Sequence, residues 1–186
     1  MKINTPLTKD KLKSLKAGDL VYITGKIYTA RDAAHKKLVD MINNNQELPI
    51  PIKDSIIYYV GPTPAKPNEP IGSCGPTTSY RMDPFLNPLL ELGLTGSIGK
   101  GARSQKAKDQ MMKHKAVYFQ AIGGTAAYLS KFVKESKLIA FEELQSEAIR
   151  ELIVQDFTVF VTYDVYGNDL ITNGIEKYRI KYNNVK

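Results

Sequence analysis

The chain has 186 residues, of which 42% are hydrophobic and 24% are charged, so its composition is that of an ordinary globular protein with enough length for one buried core. No apolar run approaches the roughly 20 residues that cross a bilayer, and the first residues lack the apolar stretch of a signal peptide. The sequence therefore predicts a single domain over residues 1–186, located in the cytoplasm and without a membrane partner.

The first half of the chain predicts strands and a helix joined by irregular segments. The run 19–28 is rich in β-forming residues and contains Gly25 as a bulge or bend. Apolar residues recur at helical spacing after Ala30, and three consecutive asparagines end that pattern. The predicted elements are a short helix or arm at 2–16, a strand at 19–28, a helix at 30–44, a strand at 55–60 and a proline-rich loop at 61–70.

The second half alternates helices and strands and ends mostly in β structure. Asp83 and Pro84 form a good N-cap and first-turn pair, and Gly93 is placed to end that helix. Ser104 is the predicted cap of the next helix. The other predicted elements are strands at 94–98 and 116–122, a helix that begins after 123–125 and ends near 136, strands at 137–141, 149–154 and 158–164, and a turn at 166–168. This alternation predicts the α/β class.

Groups that bind small anions are concentrated in the segment 72–83, whose sequence is Gly-Ser-Cys-Gly-Pro-Thr-Thr-Ser-Tyr-Arg-Met-Asp. Glycine lets the backbone approach a ligand closely, and hydroxyl groups both donate and accept hydrogen bonds. Arg81 can bind a carboxylate through two parallel hydrogen bonds, and Lys100 stands between two glycines downstream. The pattern predicts a site for a small, doubly charged oxyanion.

Arg31 is a second candidate for carboxylate binding. It falls in the first turn of the predicted helix, where a cation opposes the helix macrodipole, so the position favours binding over stability. His35 lies one turn later on the same face, where packing or support of the site competes with ligand contact as its role. An ion pair between Arg31 and Asp32, or another acid, is the alternative interpretation.

The chain has one cysteine, Cys74, and two histidines, His35 and His114. One thiol can neither form an internal disulfide nor hold an iron–sulfur cluster or a zinc ion, and the histidines do not stand at the spacing of metal ligands. The residues therefore predict no metal site in this chain alone. We interpret Cys74 as a small buried residue rather than as a ligand or a redox group.

The net charge of +7 indicates a nucleic-acid surface, an anionic ligand or a solvated exterior rich in lysine. No alternation of basic and aromatic residues indicates base stacking, so we interpret most lysines as solvated and expect no nucleic-acid partner. A basic module that binds nucleic acid or a phosphorylated ligand remains the alternative of another class. The lysines in question are Lys106, Lys108, Lys113, Lys115, Lys131, Lys134 and Lys137.

Four motifs in order carry a resemblance to a known family. They are Thr-Ala-Arg-Asp-Ala-Ala-His-Lys from residue 29, Gly-Pro-Thr-Thr-Ser-Tyr-Arg-Met-Asp from residue 75, Lys-Gly-Ala-Arg-Ser from residue 100 and Ile-Gly-Gly-Thr-Ala-Ala from residue 122. Together they resemble the C-terminal, or beta, part of class I fumarate hydratases, which the iron–sulfur L-tartrate dehydratases share. The resemblance runs from about residue 18 to residue 169 and implies a swivelling β/β/α domain.

The resemblance also implies roles for particular residues. Thr77 would be the catalytic base, while Arg31, Arg81 and Lys100 would bind the substrate carboxylates. The implied supporting residues are His35, Thr78 and Arg103.

The residues themselves leave other roles open. The two threonines can cap a turn, and Arg81 can pair with Asp83 or Glu91. Tyr80 departs from the family pattern, since many relatives carry a small residue there, and a phenol beside the arginine would reshape the pocket.

As a beta subunit, the chain would act only with an alpha subunit, which would carry a [4Fe-4S] cluster, while this chain would bind no cofactor itself. The implied reaction is the reversible hydration of fumarate to (S)-malate. Dehydration of L(+)-tartrate on the same fold is the nearest alternative. A catalytically silent structural domain, whose glycines serve turns only, is the third.

Overall fold

The computed structural model describes residues 1–183 and has a mixed α/β architecture with one sheet of seven strands. The strands are β1 (Lys2–Asn4), β2 (Leu20–Thr29), β3 (Ile56–Tyr58), β4 (Gly96–Gly99), β5 (Val117–Gln120), β6 (Val133–Ala140) and β7 (Ile149–Tyr163). The α-helices are α1 (Lys9–Leu12), α2 (Asp32–Asn43), α3 (Asp83–Glu91), α4 (Gln105–His114), α5 (Ala126–Leu129) and α6 (Leu170–Asn183). Short 3-10 helices cover Ser79–Met82, Ser130–Phe132 and Glu142–Glu147.

Strands β2, β3, β4 and β5 are parallel neighbours, and a helix follows each of the first three before the chain enters the next strand. Parallel strands joined in this way place all their carboxyl ends at one edge of the sheet. We call this the carboxyl edge; it consists of the segments 30–32, 59–61, 75–82, 100–103 and 121–125. Every site motif found in the sequence lies on it.

The long strand β7 closes the sheet on itself. It pairs antiparallel with β2 along one side and with β5 and β6 along the other, so that Phe160 faces both Leu20 and Gln120. The strands β2, β3, β4, β5 and β7 therefore form a ring of five with no free edge between them.

Two apolar cores lie on the two faces of this ring, as the alternation of side chains along each strand requires. On β3 and the residue that follows it, Ile56 and Tyr58 belong to the core inside the ring, whereas Ile57 and Tyr59 belong to the core beneath helices α2, α3 and α4. All four side chains are fully buried. The helices that carry the carboxyl edge are thus fixed to the sheet by their apolar faces.

Most predicted elements are confirmed, including the α/β class. Gly25 is the predicted irregularity in β2: its φ is +115°, the register of the β2–β7 pair shifts beside it, and an added Cβ would lie 2.4 Å from the Thr5 hydroxyl. Ser104 caps α4 by accepting a hydrogen bond from the Ala107 amide at 3.2 Å. The asparagines at 43–45 end α2, with Asn44 as its C-cap.

Several boundaries were wrong. The helix after residue 125 does not reach residue 136, because β6 begins at Val133 and pairs with β7. The strands predicted at 149–154 and 158–164 are one strand, β7, in which Asp156 adopts a positive φ of 52° at the point where the register of the pairing with β2 shifts. Helix α6 lies beyond the last predicted turn and was not anticipated.

A third correction concerns Asp83, which is the first residue of α3 rather than its N-cap, because its carboxylate binds Arg103 instead of the helix amides. Over residues 1–183, no helix is both long and apolar enough to cross a membrane.

Candidate active site at the carboxyl edge

Backbone hydrogen bonds bring the threonine motif and Lys100 together on the carboxyl edge. The Thr77 amide donates to the Tyr59 carbonyl at 2.7 Å, which extends β3, and the Lys100 amide donates to the Thr77 carbonyl at 3.1 Å. The Ser79 amide then donates to the Lys100 carbonyl at 2.9 Å, so Thr78 and Lys100 pair as in a parallel sheet. The predicted base and the predicted lysine are therefore on adjoining backbone segments.

The two predicted arginines reach the same place from different elements. Arg81 lies in the 3-10 helix after the threonines, and its Nε lies 2.9 Å from Oδ1 of Asp32 in an ion pair. Arg31 precedes Asp32 in the chain, and its Nη2 lies 3.2 Å from Oε1 of Glu147 and 3.7 Å from Oδ2 of Asp32. Asp32 thus connects the two cations, and the pairing of Arg81 with Asp83 or Glu91 is not observed.

Arg31 is not in the first turn of α2, as predicted, but is its N-cap residue with extended backbone. Its cation therefore does not sit on the helix amides, because Glu147 takes that position: Oε2 of Glu147 accepts the Ala33 amide at 3.1 Å. The guanidinium packs against Gly61, where an added Cβ would lie only 2.8 Å from Nη1. A glycine at this point is what gives Arg31 room.

Lys100 and Thr77 differ from the arginines in their partners. Across residues 1–183, no carboxylate lies within 4.0 Å of the Lys100 ammonium, whereas both arginines have acidic partners. Both Lys100 and Thr77 are partly exposed, and Gly123 lies beside the lysine stem, 3.9 Å from Cδ if a Cβ were added. Their functional groups are thus available to a ligand.

Arg103 lies buried beneath the carboxyl edge, where it supports the loops rather than reaching a ligand. Its side chain is fully buried, its Nε donates to Oδ1 of Asp83 at 2.5 Å, and its Nη1 reaches Tyr59 and Ser97 at 3.4 Å and 3.3 Å. The other carboxylate oxygen of Asp83 accepts the Ser104 amide at 2.7 Å. This pair fixes the loop after β4 to the start of α3.

A second support was missed in the sequence. The Tyr118 hydroxyl, on β5, lies 2.9 Å from the Ser79 hydroxyl and donates to the Gly101 carbonyl at 2.8 Å. One buried phenol therefore connects the loop of the threonine motif with the loop of Lys100. Tyrosine in a β-rich run carries no signal for such a role, because only the fold brings the two loops to it.

His35 is fully buried beneath the edge and is placed to support it. Its Nδ1 lies 2.9 Å from the Arg31 carbonyl, so this nitrogen carries the proton in the neutral ring, and the ring packs edge-on against Tyr59. Burial lowers the pKa of His35 to about 4, and the nearby charge of Arg103 adds to that effect. The imidazole is therefore neutral near pH 7.

The residues of this chain do not fit an iron–sulfur cluster. No group of three or more His, Cys, Asp or Glu side chains with the geometry of a metal site occurs in the part of the chain that the structure describes. Cys74 is fully buried, and burial raises the pKa of its thiol to about 12, which disfavours the thiolate that binds metals. Its interpretation as a small buried residue agrees with this environment.

Large apolar side chains are exposed around the edge. Tyr80 is 61% exposed, and Ile122 and Tyr128 are each 53% exposed. Ile122 follows Ala121, whose amide donates to the Gly99 carbonyl beside Lys100, and the segment that carries Tyr128 packs on the threonine motif. Exposed apolar residues around a charged edge are typical of a protein–protein contact surface.

Comparison with known proteins identifies one family over nearly the whole chain. The family model described as Fumarase C-terminus matches residues 1–174. A protein of Methanocaldococcus jannaschii that bears the name of an L(+)-tartrate dehydratase subunit beta is 39% identical, and the match covers 95% of this chain and 94% of that protein.

Two longer relatives are named as fumarate hydratases. The anaerobic class I fumarate hydratase of Escherichia coli is 42% identical over 83% of this chain, and fumarate hydratase 2 of Leishmania major is 38% identical over 87%. The matches cover 29% of each of these relatives, so the chain spans under a third of their length. The ordered motifs, the parallel strands that gather them and these matches lead to one conclusion: the chain belongs to the fumarase C-terminus family.

Proposed function

We propose that this chain is the beta subunit of an iron–sulfur hydro-lyase that adds water reversibly to a small unsaturated dicarboxylate, with fumarate as the first candidate substrate and (S)-malate as its product. The observation that carries the proposal is the gathering of Arg31, Arg81, Lys100 and Thr77 on one exposed edge. Three cations beside a row of hydroxyls match a dianion better than any uncharged or cationic ligand.

Each group has a distinct task in this proposal. Arg81 pairs with Asp32 through its Nε, which would leave its two terminal nitrogens to bind one substrate carboxylate through parallel hydrogen bonds. Lys100 would pair with the second carboxylate as a point charge. Arg31 would add a further donor beside the first.

Thr77 would handle the proton at carbon. A hydroxyl becomes a base only where cations stabilise its alkoxide, and a unit charge at 4 Å contributes about 4 kcal/mol at an effective dielectric near 20. Two such charges do not bring an alkoxide to neutral pH, so this role requires the substrate to be activated by another group. We place that group, a [4Fe-4S] cluster, on an alpha subunit, since this chain cannot hold it.

A partner over the carboxyl edge follows from the same proposal. The relative named as a subunit beta matches this chain over nearly its whole length, whereas the longer fumarate hydratases contain a matching region within one polypeptide. In those longer proteins the remaining length would correspond to the alpha subunit. The exposed Tyr80, Ile122 and Tyr128 are suited to the contact. We also propose the swivelling β/β/α type for the fold, supported by the ring of strands with helices on its outer face.

Dehydration of L(+)-tartrate is the second candidate. The name of the Methanocaldococcus jannaschii relative, which matches this chain over nearly its whole length, favours it. The two reactions differ in the hydroxyl groups that the pocket must accept. The phenol of Tyr80, exposed beside Arg81, is one group of this chain that can distinguish the substrates.

The test is to co-express the chain with a candidate alpha subunit, purify the complex without oxygen, and assay fumarate, L-tartrate and mesaconate. We expect turnover by the complex and none by the chain alone. Arg81→Ala should lower kcat/KM at least tenfold, whereas Arg179→Ala, which removes an exposed arginine on α6 at the other end of the ring, should not. Turnover by the isolated chain, or tight salt-dependent binding to DNA or RNA by an inactive complex, would overturn the proposal.

A further inference from the structure

The acidic residues at the carboxyl edge are as specifically placed as the basic ones. Asp32 is half-buried, with 27% of its side chain exposed, and lies between two arginines that come from different loops. Its Oδ1 lies 2.9 Å from the Arg81 Nε, while its Oδ2 is buried, lies 3.7 Å from Nη2 of Arg31 and has no hydrogen-bond partner among residues 1–183. A half-buried carboxylate with no hydrogen bond at one oxygen gains little stability from its position, which favours a role in the site.

The Asp32–Arg81 pair restricts where the arginine can point. A guanidinium has one Nε and two terminal nitrogens in a fixed plane, so an anion beside Nε restrains that plane and leaves the edge formed by the two terminal nitrogens open to a second anion. No other acid lies within 4.0 Å of Arg81 in the described part of the chain. Without Asp32, the 45% exposed side chain would sample many rotamers in water.

We propose that Asp32 is a positioning residue: it holds Arg81 by its Nε so that the terminal nitrogens face the dicarboxylate. The proposal rests on the function proposed above. Because Asp32 begins α2 and Arg81 lies in the loop before α3, the pair also fixes the distance between the loops that follow β2 and β3. Asp32 itself touches neither the substrate nor its reacting atoms.

Helix α2 also carries an ion pair that serves as an internal control. Lys37 of α2 pairs with Glu143 in the 3-10 helix 142–147 at 2.5 Å, and that helix also carries Glu147. Glu143→Gln therefore removes an ion pair of α2 without touching Arg31, Asp32 or Arg81. It reports what the loss of a peripheral ion pair does to the complex.

The experiment is a double-mutant cycle in the assembled complex, with kcat and KM measured for the substrate that the wild type turns over. Asp32→Asn should raise KM and lower kcat/KM about tenfold in the wild-type background, and it should change kcat/KM less than twofold in an Arg81→Ala background. Glu143→Gln should leave both constants unchanged. Asp32→Glu, which keeps the charge, should recover part of the loss.

The outcomes separate this proposal from the function on which it rests. An active wild type whose kcat/KM is unaffected by Asp32→Asn overturns the positioning role and leaves the function standing. Equal losses in both backgrounds show a general structural role and also overturn it. An inactive wild-type complex overturns the function itself. If the Asp32→Asn complex does not assemble, the same cycle is measured with Asp32→Glu. The positioning role then requires that Asp32→Glu lowers kcat/KM in the wild-type background and leaves it unchanged in the Arg81→Ala background.

Discussion

The buried histidine makes the stability of this protein depend on pH in a window where the carboxylates do not. His35 is fully buried, and its pKa falls from the ordinary 6.5 to about 4, chiefly because burial disfavours the imidazolium. In the unfolded chain the ring takes up a proton near pH 6.5, so below that pH the unfolded state binds more protons than the folded one. Stability must therefore fall as the pH drops from about 6.5 towards 4.

The size of this effect follows from the two pKa values. With 1.36 kcal/mol for each pKa unit, the complete loss is about 3 kcal/mol, and about 2 kcal/mol of it falls between pH 7 and pH 5. Among the acids whose pKa is lowered in the fold, Asp164 and Asp169 lose their contributions below their ordinary value of 3.8, and Glu143 below its ordinary value of 4.5. The interval from pH 7 to pH 5 therefore isolates the histidine.

The assay is urea unfolding of the purified chain at pH 7 and pH 5, followed by far-ultraviolet circular dichroism. In His35→Asn, an amide can donate to the Arg31 carbonyl as the ring does, but it does not titrate. We expect the wild type to lose about 2 kcal/mol more than this variant over the interval. Equal losses in the wild type and His35→Asn would refute the reasoning.

Two further changes test the site and its support. Gly61→Ala places a Cβ 2.8 Å from Nη1 of Arg31, so it should displace the guanidinium and raise the KM of the complex for its dicarboxylate about tenfold, as measured by steady-state kinetics. Asp83→Ala leaves the fully buried guanidinium of Arg103 without its anion and should cost about 3–5 kcal/mol of unfolding free energy in urea. An unchanged KM in the first variant, or an unchanged unfolding midpoint in the second, would contradict these assignments.

The local sequence was sufficient to predict most strands and to locate the motifs along the chain. The run 56–60 contains only aliphatic and aromatic residues because both faces of β3 are buried, and a run of this length is typical of a buried strand. Three of the four motifs begin at or just after the ends of β2, β4 and β5, so the parallel topology brings them to one edge. The threonine motif follows a long loop after β3 and is held at the edge by backbone hydrogen bonds to Tyr59 and Lys100. The resemblance to a known family then added the roles, which no residue pattern provides.

The ion pairs could not be predicted, because they depend on distances between loops that are remote in sequence. Arg81 has acids two and ten residues away, at Asp83 and Glu91, yet it binds Asp32, which approaches only when β2 and β3 pair. Asp83 is meanwhile taken by Arg103. Glu147 lies in a segment without a motif, and nothing in its neighbours indicates that it faces Arg31.

The prediction of two strands near the end of the chain was wrong for a related reason. A polar pair at 155–156 between two apolar runs indicates a break, but β7 continues through it because β2 pairs with it on both sides of the irregularity. Asp156 absorbs the extra length with a positive φ, and its amide donates to the Thr24 hydroxyl at 3.0 Å. Pairing with a neighbouring strand thus outweighed the local signal.

Under the proposed function, the charge of the carboxyl edge explains why the chain would need a partner. Within residues 1–183, two carboxylates, those of Asp32 and Glu147, lie within 4.0 Å of Arg31, Arg81 or Lys100, so the edge keeps one uncompensated cation. In open water, exposed ion pairs contribute about 0–1 kcal/mol each, which is too little to hold a dianion. A second subunit over the edge would exclude water and strengthen the same contacts several-fold. Under the proposed function, the same covering surface would bring the activating cluster, so binding and turnover should appear together when the complex forms.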